Sequence, residues 1–242
     1  MHAAGRIPLL FVLCTIAVVR PAAPAAAAPA ATGPQSLRIA TDDGGSIEAD
    51  LYPGGPHAVV LAHGAVFDKG SWGPLLGPLR AAGLTVLAIN FRGYGASRAG
   101  SDPRGLWRDV LAAVRDLHDR GYATVSVIGG SMGGGAAARA VVESGPGEIE
   151  STVLLSPVPI ARPERLKGRL LFVVSREEGL YGRVLEQYRR APEPRQLLEL
   201  PGDAHAQHVF RTPQLGPLVK AVVAFLKAAP RETAGGGVGD GG

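Results

Sequence analysis

The residues of this chain best suited to chemistry form the segment Gly129-Gly130-Ser131-Met132-Gly133. It follows an apolar, β-branched run at 123–128 and precedes a run of small residues at 134–138, an order that predicts a strand, a sharp turn and a helix. A G-x-S-x-G sequence on such a turn exposes the serine hydroxyl at the end of a central strand, and its glycines allow the tight turn. Ser131 is therefore a candidate nucleophile, although the motif alone is weak in a chain with 34 glycines.

A candidate base for this serine lies near the end of the chain. A serine hydroxyl attacks a carbonyl group only when a positioned base, usually a histidine held by a carboxylate, removes its proton. Downstream of Ser131 the chain contains two histidines, His205 and His208. His205 lies in a loop directly after the last predicted strand and is the candidate base. His208, three residues on and near the last predicted helix, is the alternative, and either residue could be a plain surface histidine.

The acid that would hold the histidine is expected in the loop after the preceding strand, which is predicted from the apolar run at 171–174. Glu177 and Glu178 follow that run. Glu178, 27 residues before His205, is the candidate acid. Glu177 is its rival, because two adjacent carboxylates cannot both point inward. Asp203 lies nearer to His205 in sequence but is interpreted as shaping the histidine loop.

The negative oxygen that forms during acyl transfer needs two hydrogen-bond donors. One is expected to be the backbone N–H after the nucleophile, that of Met132. The second is expected from the loop after the third predicted strand, which reads Leu61-Ala62-His63-Gly64-Ala65, and Ala65 is the candidate donor. His63 precedes Ser131 in the chain and is interpreted as fixing this loop by hydrogen bonds rather than as the base.

The elements that must position these residues alternate along the chain. From Ser36 onward β-branched apolar runs alternate with helix-like segments, which is typical of an α/β fold with a mostly parallel sheet covered by helices on both faces. The predicted strands cover 37–40, 47–52, 58–62, 85–89, 124–128, 152–155, 170–174 and 196–200. The predicted helices cover 72–82, 106–119, 132–143, 182–190 and 215–227. Only about a dozen residues separate the sixth and seventh strands, which leaves no room for a lid domain.

The first 31 residues have the layout of an export signal. Arg6 supplies a positive charge, the apolar run at 7–19 follows, and an Ala/Pro tract with A-x-A-like sites comes next. Thirteen apolar residues are too few to span a bilayer comfortably, so we expect a signal peptide cleaved between Ala23 and Ala31. The alternative is an uncleaved N-terminal membrane anchor.

The expected mature protein is secreted or periplasmic, and it contacts a membrane only transiently during export. It would consist of one domain at 36–229 and a Gly-rich, disordered tail at 230–242. The single cysteine, Cys14, lies in the leader, so the mature part would depend on its core rather than on disulfides.

Charge argues against a nucleic-acid partner. Removing the leader takes away Arg6 and Arg20 and no acidic residue, which leaves 23 basic and 21 acidic residues and a formal net charge of +2. The chain also has no lysine-rich run and no basic patch interleaved with aromatic residues. The electrostatic pattern of a polyanion binder is therefore missing, and the expected partner is a small molecule.

Taken together, these segments resemble the α/β-hydrolase superfamily over roughly 37–226. The resemblance is carried by His63-Gly64 after one strand, by Phe91-Arg92-Gly93-Tyr94-Gly95-Ala96-Ser97 after the next, and by the Ser131 segment after a third, with His205 in the usual loop. It implies the α/β-hydrolase fold with an eight-stranded sheet and no cap domain. It also implies that Ser131, His205 and Glu178 hydrolyse an ester or related acyl bond without a cofactor or metal.

The chain departs from the family pattern in three places. Its candidate acid is Glu where Asp is commoner, which keeps the choice between Glu177 and Glu178 open. Asn90 occupies a position often held by Asp, where a structural effect is expected. No run of three glycines follows His63, which disfavours the lipase subgroup that carries that motif.

The predicted function is that of a serine hydrolase that cleaves a small carboxylic ester, or a thioester, through an acyl-enzyme intermediate. Members that open epoxides or carbon–halogen bonds use aspartate at the position of Ser131, and peptidases of this fold usually carry an extra propeller or cap. The alternative from a different class is a non-catalytic binding or scaffold protein that retains the fold.

Overall fold

The computed structural model describes Met1 and residues 33–228, and the fold below is that of residues 33–228. The predicted signal peptide beyond Met1 and the predicted Gly-rich tail lie outside the described residues. Both stay predictions.

Eight strands form one sheet, in the order β1-β2-β4-β3-β5-β6-β7-β8. The strands are β1 Gln35–Ala40, β2 Ser46–Tyr52, β3 His57–Ala62, β4 Thr85–Ile89, β5 Thr124–Gly130, β6 Ser151–Leu155, β7 Arg169–Ser175 and β8 Arg195–Leu200. The pairs β1/β2 and β2/β4 are antiparallel, and all other neighbours are parallel. The predicted α/β fold with a mostly parallel sheet is confirmed.

Five α-helices cover the two faces of the sheet. They are α1 Gly73–Ala81, α2 Leu106–Asp119, α3 Met132–Glu143, α4 Tyr181–Arg190 and α5 Leu215–Lys227. One apolar core lies between the sheet and α2, α3 and α4, and a second lies between the sheet and α1 and α5. Every residue of β4, β6 and β7 is buried, as expected for strands covered on both faces.

Three short 3-10 helices, at Lys69–Trp72, Pro163–Arg165 and Ala206–Arg211, were not predicted. The first includes Trp72, so α1 begins one residue later than predicted. The Asp68 carboxylate caps this separate turn by accepting hydrogen bonds from the N–H groups of Gly70 and Ser71. Within residues 33–228, none of the helices has the length and apolar character needed to cross a bilayer.

The connectivity determines which loops meet. From β3 the chain runs outward to β4 and then returns to β5 on the other side of β3, so the strand order reverses at β3 and β5. In parallel sheets, clefts for ligands form beyond the carboxyl ends of the strands at such a reversal. The loops after β3, β5, β6, β7 and β8 all begin at the carboxyl ends of these strands and so lie on the same side of the sheet.

Candidate active site

Ser131 joins the end of β5 to the start of α3. Its backbone is left-handed, with φ of 50° and ψ of −112°. Its N–H donates to the carbonyl of Leu155 at 2.9 Å, and its own carbonyl accepts from Gly135 and Val158 at 3.0 and 3.2 Å. A non-glycine residue in this conformation costs about 1–3 kcal/mol and persists only where its surroundings hold it. These three bonds hold the serine on its turn.

Glycines beside Ser131 allow the backbone to approach closely. A Cβ on Gly133 would lie 2.1 Å from the carbonyl oxygen of Ala62, and one on Gly129 would lie 2.4 Å from the carbonyl oxygen of Gly133. The first turn of α3 therefore packs directly on the end of β3, which brings the serine turn next to the loop that starts at His63.

His205 follows β8 and reaches Ser131 across the edge of the sheet. Its Nε2 lies 2.8 Å from Ser131 Oγ. The hydroxyl of Ser175, at the end of β7, donates to the carbonyl of Ala204 at 2.7 Å and anchors the histidine loop. Ala206 has φ of 50°, so the chain turns sharply after the histidine. The imidazole is held where it can accept the serine proton.

Glu178 lies on the other side of the His205 ring. Its side chain is 2% exposed, and its Oε2 is 3.3 Å from His205 Nδ1 and 2.9 Å from Ser156 Oγ. Because a carboxylate accepts, Nδ1 carries the proton and Nε2 is free to accept from Ser131. Glu177 is exposed. The structure thus brings together Ser131, His205 and Glu178, and leaves Glu177 at the surface.

The remaining predicted alternatives lie outside this group. His208 is exposed, and its ring packs against Phe67 with a centroid distance of 5.0 Å. Asp203 is also exposed.

His63 fixes the peptide that carries the Ala65 N–H. Its Nδ1 donates to the carbonyl of Gly64 at 2.8 Å, and its Nε2 accepts from the N–H of Phe91 at 3.2 Å. The Gly64 carbonyl also accepts from Phe67 N–H at 3.0 Å. In a trans peptide the N–H points away from the carbonyl, so these bonds orient the Ala65 N–H. Burial lowers the pKa of His63, and since both ring nitrogens are engaged, neither is free to accept the Ser131 proton.

Tyr94 links the two predicted oxyanion donors. Its hydroxyl donates to the carbonyl of Ala65 at 2.7 Å and lies 3.9 Å from the sulfur of Met132. Tyr94 belongs to the segment that carries the family resemblance, but sequence reasoning assigned it no role. The geometry shows that it ties the Ala65 loop to the first residue of α3.

Gln207 is a second residue that sequence reasoning missed. It is 2% exposed and lies in the 3-10 helix after His205. Its Oε1 accepts from the N–H of Gly64 at 2.7 Å, and its Nε2 donates to the hydroxyl of Ser71. This side chain therefore joins the histidine loop to the loop of Ala65. The available signal was weak, namely a glutamine two residues after the candidate base.

A second serine–histidine contact lies near the amino ends of the parallel strands, away from Ser131. His57 Nε2 is 2.8 Å from Ser126 Oγ, which is in turn 2.7 Å from Ser151 Oγ. These residues are near the amino ends of β3, β5 and β6, and both serines have no exposed surface. A hydroxyl sealed in this way cannot meet a substrate, so this chain of hydrogen bonds is part of the core.

In the described part of the chain, no group of three or more His, Cys, Asp or Glu side chains could hold a metal ion.

The chain belongs to the Alpha/beta hydrolase family, whose sequence model matches residues 59–235. Among curated proteins it is similar to a non-heme chloroperoxidase from Streptomyces lividans, with 31% identity over 157 residues, which covers 63% of this chain and 53% of the relative. It is also similar to the dihydrolipoyllysine-residue acetyltransferase component of the acetoin cleaving system from Cupriavidus necator, with 33% identity over 51% of this chain and 32% of the relative. The chain thus spans about half or less of these relatives.

Solved structures share the fold. An esterase from Pyrococcus furiosus matches with a TM-score of 0.69 and 23% identity, over 80% of this chain and 92% of that chain. Est1E from Butyrivibrio proteoclasticus, solved with bound ferulic acid, matches with a TM-score of 0.68 and 16% identity, over 78% of this chain and 97% of that chain.

Proposed function

We propose that this protein hydrolyses a small carboxylic ester, or a thioester, with Ser131 as nucleophile, His205 as base and Glu178 as the acid. The proposal rests on one observation above all. A single imidazole ring lies 2.8 Å from a serine hydroxyl on one side and 3.3 Å from a buried carboxylate on the other. Hydrolysis through a serine nucleophile needs this arrangement, because the histidine must be held in the correct tautomer and be stabilised once it is protonated.

The reaction follows from these positions. Ser131 Oγ attacks the carbonyl carbon of the ester while His205 Nε2 takes its proton, and the N–H groups of Ala65 and Met132 stabilise the negative oxygen. Protonated His205 then gives its proton to the leaving alcohol or thiol, and the acyl group stays on Ser131. A water molecule, activated by His205 in the same way, releases the acid and restores the serine.

The surface beside the Ala65 loop is open, which gives a substrate access to the proposed oxyanion donor. An open depression of about 450 Å³ lies beside this loop, lined in part by Ala65, Val66, Phe67 and Tyr94. Val66 is 79% exposed at its edge. The solved structures with a similar fold include proteins named as esterases, which supports the same reaction class.

A fluorophosphonate probe and a panel of chromogenic esters of increasing acyl length test the proposal. We expect the probe to label the wild type and not Ser131→Ala. Ser131→Ala and His205→Ala should each lower turnover by up to about 10⁶-fold, and the double variant should be little worse, because the residues act as a unit.

Two outcomes would contradict this proposal. A folded wild type that neither reacts with the probe nor cleaves any ester would favour the alternative of a non-catalytic scaffold. Losses that simply add in the double variant would show that the two residues do not share one step.

We also propose that the protein is exported and acts in a secreted or periplasmic location. The support is the charge, the apolar run and the Ala/Pro tract of the first 31 residues. Mass spectrometry of the protein expressed with its full N-terminus should find a mature chain that begins between Ala23 and Ala31. A full-length chain in the membrane fraction would favour the uncleaved anchor instead.

A further inference from the structure

Ser156, the first residue after β6, contacts the acid of the proposed site. It is fully buried, and its Oγ donates to Glu178 Oε2 at 2.9 Å. Its backbone N–H donates to the carbonyl of Val173 on β7 at 2.8 Å. The residue is therefore held against the strand that leads to Glu178.

The two donors to Glu178 share one oxygen. Oε2 accepts from both Ser156 Oγ and His205 Nδ1, whereas Oε1 is buried and has no hydrogen-bond partner among the described residues. A buried carboxylate depends strongly on each hydrogen bond that it accepts. Ser156 therefore supplies a large part of what stabilises this carboxylate, and it acts on the oxygen that faces the histidine.

The backbone of Ser156 is strained, with φ of 44°. The described residues contain two other non-glycine residues with positive φ, namely Ser131 and Ala206, which directly follows His205. Each of the three is a member of the proposed site or touches one. Strain of this kind concentrates where a side chain or a turn must be held in a particular place.

We propose that Ser156 is a positioning residue for the acid: its hydroxyl holds Glu178 Oε2 towards His205 and takes up part of the charge of the carboxylate. This inference rests on the proposed function. Without the hydroxyl, the carboxylate would be freer to move and would interact more strongly with a protonated His205. The residue would thus influence both the orientation of the imidazole and the pH at which it becomes free to act as a base.

The other charged or titratable side chains of the acid and histidine loops, Arg176 among them, are exposed. Glu177 precedes the acid and is exposed, as are Asp203 in the histidine loop and His208 in the following 3-10 helix. A change in the acid limb of the pH profile on altering Ser156 would therefore report on the contact between Glu178 and His205.

The test compares Ser156→Ala and Ser156→Gly with the wild type in steady-state hydrolysis of a chromogenic ester between pH 5 and 9. Both variants remove the hydroxyl, but glycine also relieves the strain at positive φ. We expect kcat to fall about 10-fold in both with KM nearly unchanged, as for a lost hydrogen bond to a charged group. We also expect the acid limb of kcat/KM to move to higher pH by about 0.5–1 unit, because a less satisfied carboxylate favours protonated His205.

Ser126→Ala is the matched control, since it deletes a fully buried serine hydroxyl near the opposite edge of the sheet. It should lower stability to a similar extent without moving the acid limb. If Ser156→Ala does not fold, Ser156→Gly carries the test.

A wild-type pH profile and kcat in a folded Ser156 variant would overturn the inference, as would the same shift in Ser126→Ala. The failure of the proposed function itself looks different, since then the wild type would not hydrolyse the ester or react with the fluorophosphonate probe.

Discussion

At the scale of single residues, the difference between Glu177 and Glu178 shows how the environment assigns a role. The two are neighbours with the same chemistry, but the side chain of Glu178 is 2% exposed and lies against His205, whereas Glu177 is exposed. The N–H of Glu177 donates to the carbonyl of Gly202 at 3.0 Å, which ties the acid loop to the histidine loop by the backbone. Burial and contact, rather than residue type, therefore distinguish the two carboxylates.

Glu178→Gln and Glu177→Gln measure this difference. Glutamine keeps the size of the side chain but cannot stabilise protonated His205, so we expect Glu178→Gln to lower kcat by about 10⁴-fold. Glu177→Gln should stay within about threefold of the wild type, because an exposed carboxylate contributes little. Stopped assays on both variants, with circular dichroism to verify folding, decide the matter, and the reverse ranking would reassign the acid.

At the scale of elements, the contact between α3 and β3 places the nucleophile. Gly133 in the first turn of α3 faces the carbonyl oxygens of Ala62 and His63 at the end of β3. The same contact brings Met132 next to the loop of Ala65, and the Tyr94 hydroxyl links the two. The position of Ser131 relative to the loop of Ala65 thus depends on the close approach of α3 to β3, which no side chain separates at Gly133.

Gly133→Ala should disturb this contact. The added Cβ would lie 2.1 Å from the Ala62 carbonyl oxygen, so the backbone must shift, and we expect a loss of about 3 kcal/mol or more in the free energy of unfolding. Gly182→Ala in α4 is the matched control. Nothing lies within 4 Å of its added Cβ, and alanine should raise stability by about 0.5–1 kcal/mol. Urea unfolding measures both, and equal effects would show that the contact is not tight.

At the scale of the whole molecule, half-buried charges join the antiparallel strand β2 to the segments that follow β3 and β4. Lys69, before α1, lies 3.1 Å from Glu48 and 2.7 Å from Asp50, both on β2. The Glu48 carboxylate also accepts from Ala96 N–H at 2.9 Å and from the amide of Asn90 at 3.0 Å. The hydrogen bond from Ala96, followed by those from Lys69 and Asn90, lowers the pKa of Glu48 to about 2.

The Glu48 carboxylate makes the free energy of unfolding depend on pH in the acid range. Because the pKa of Glu48 is lower in the folded than in the unfolded chain, its contribution is present above pH 4.5 and is lost as the pH falls towards about 2. We expect Glu48→Gln to lower the free energy of unfolding at pH 7 by about 1–2 kcal/mol, less than the full shift implies because the side chain is 26% exposed. The difference in free energy of unfolding between the wild type and Glu48→Gln should narrow between pH 4.5 and 3 in urea titrations. A difference that stays constant would contradict the lowered pKa of Glu48.

Much of the architecture can be predicted from the amino-acid sequence. The predicted bounds 106–119, 132–143 and 215–227 are those of α2, α3 and α5, and all eight predicted strands occur. This succeeds because apolar periodicity, β-branched runs and glycine turns are local features of the chain. Ser131 and His205 could be selected in the same way, since each follows a recognisable strand and the fold allows few partners for them.

Only the tertiary structure decides which polar side chains meet at the edge of the sheet. Gln207 contacts Gly64 across 143 residues of chain, and Ser156 contacts Glu178 from a neighbouring strand. None of these residues carries a local pattern that marks it. The strand order places β6 beside β7, and the loop after β8 reaches back across the carboxyl ends of the strands to Ser131 and Gly64. The sequence by itself determined the elements and the candidate nucleophile and base. Packing between distant segments decided which carboxylate is buried and which residues support it, because those contacts form only when the strands assemble into the sheet.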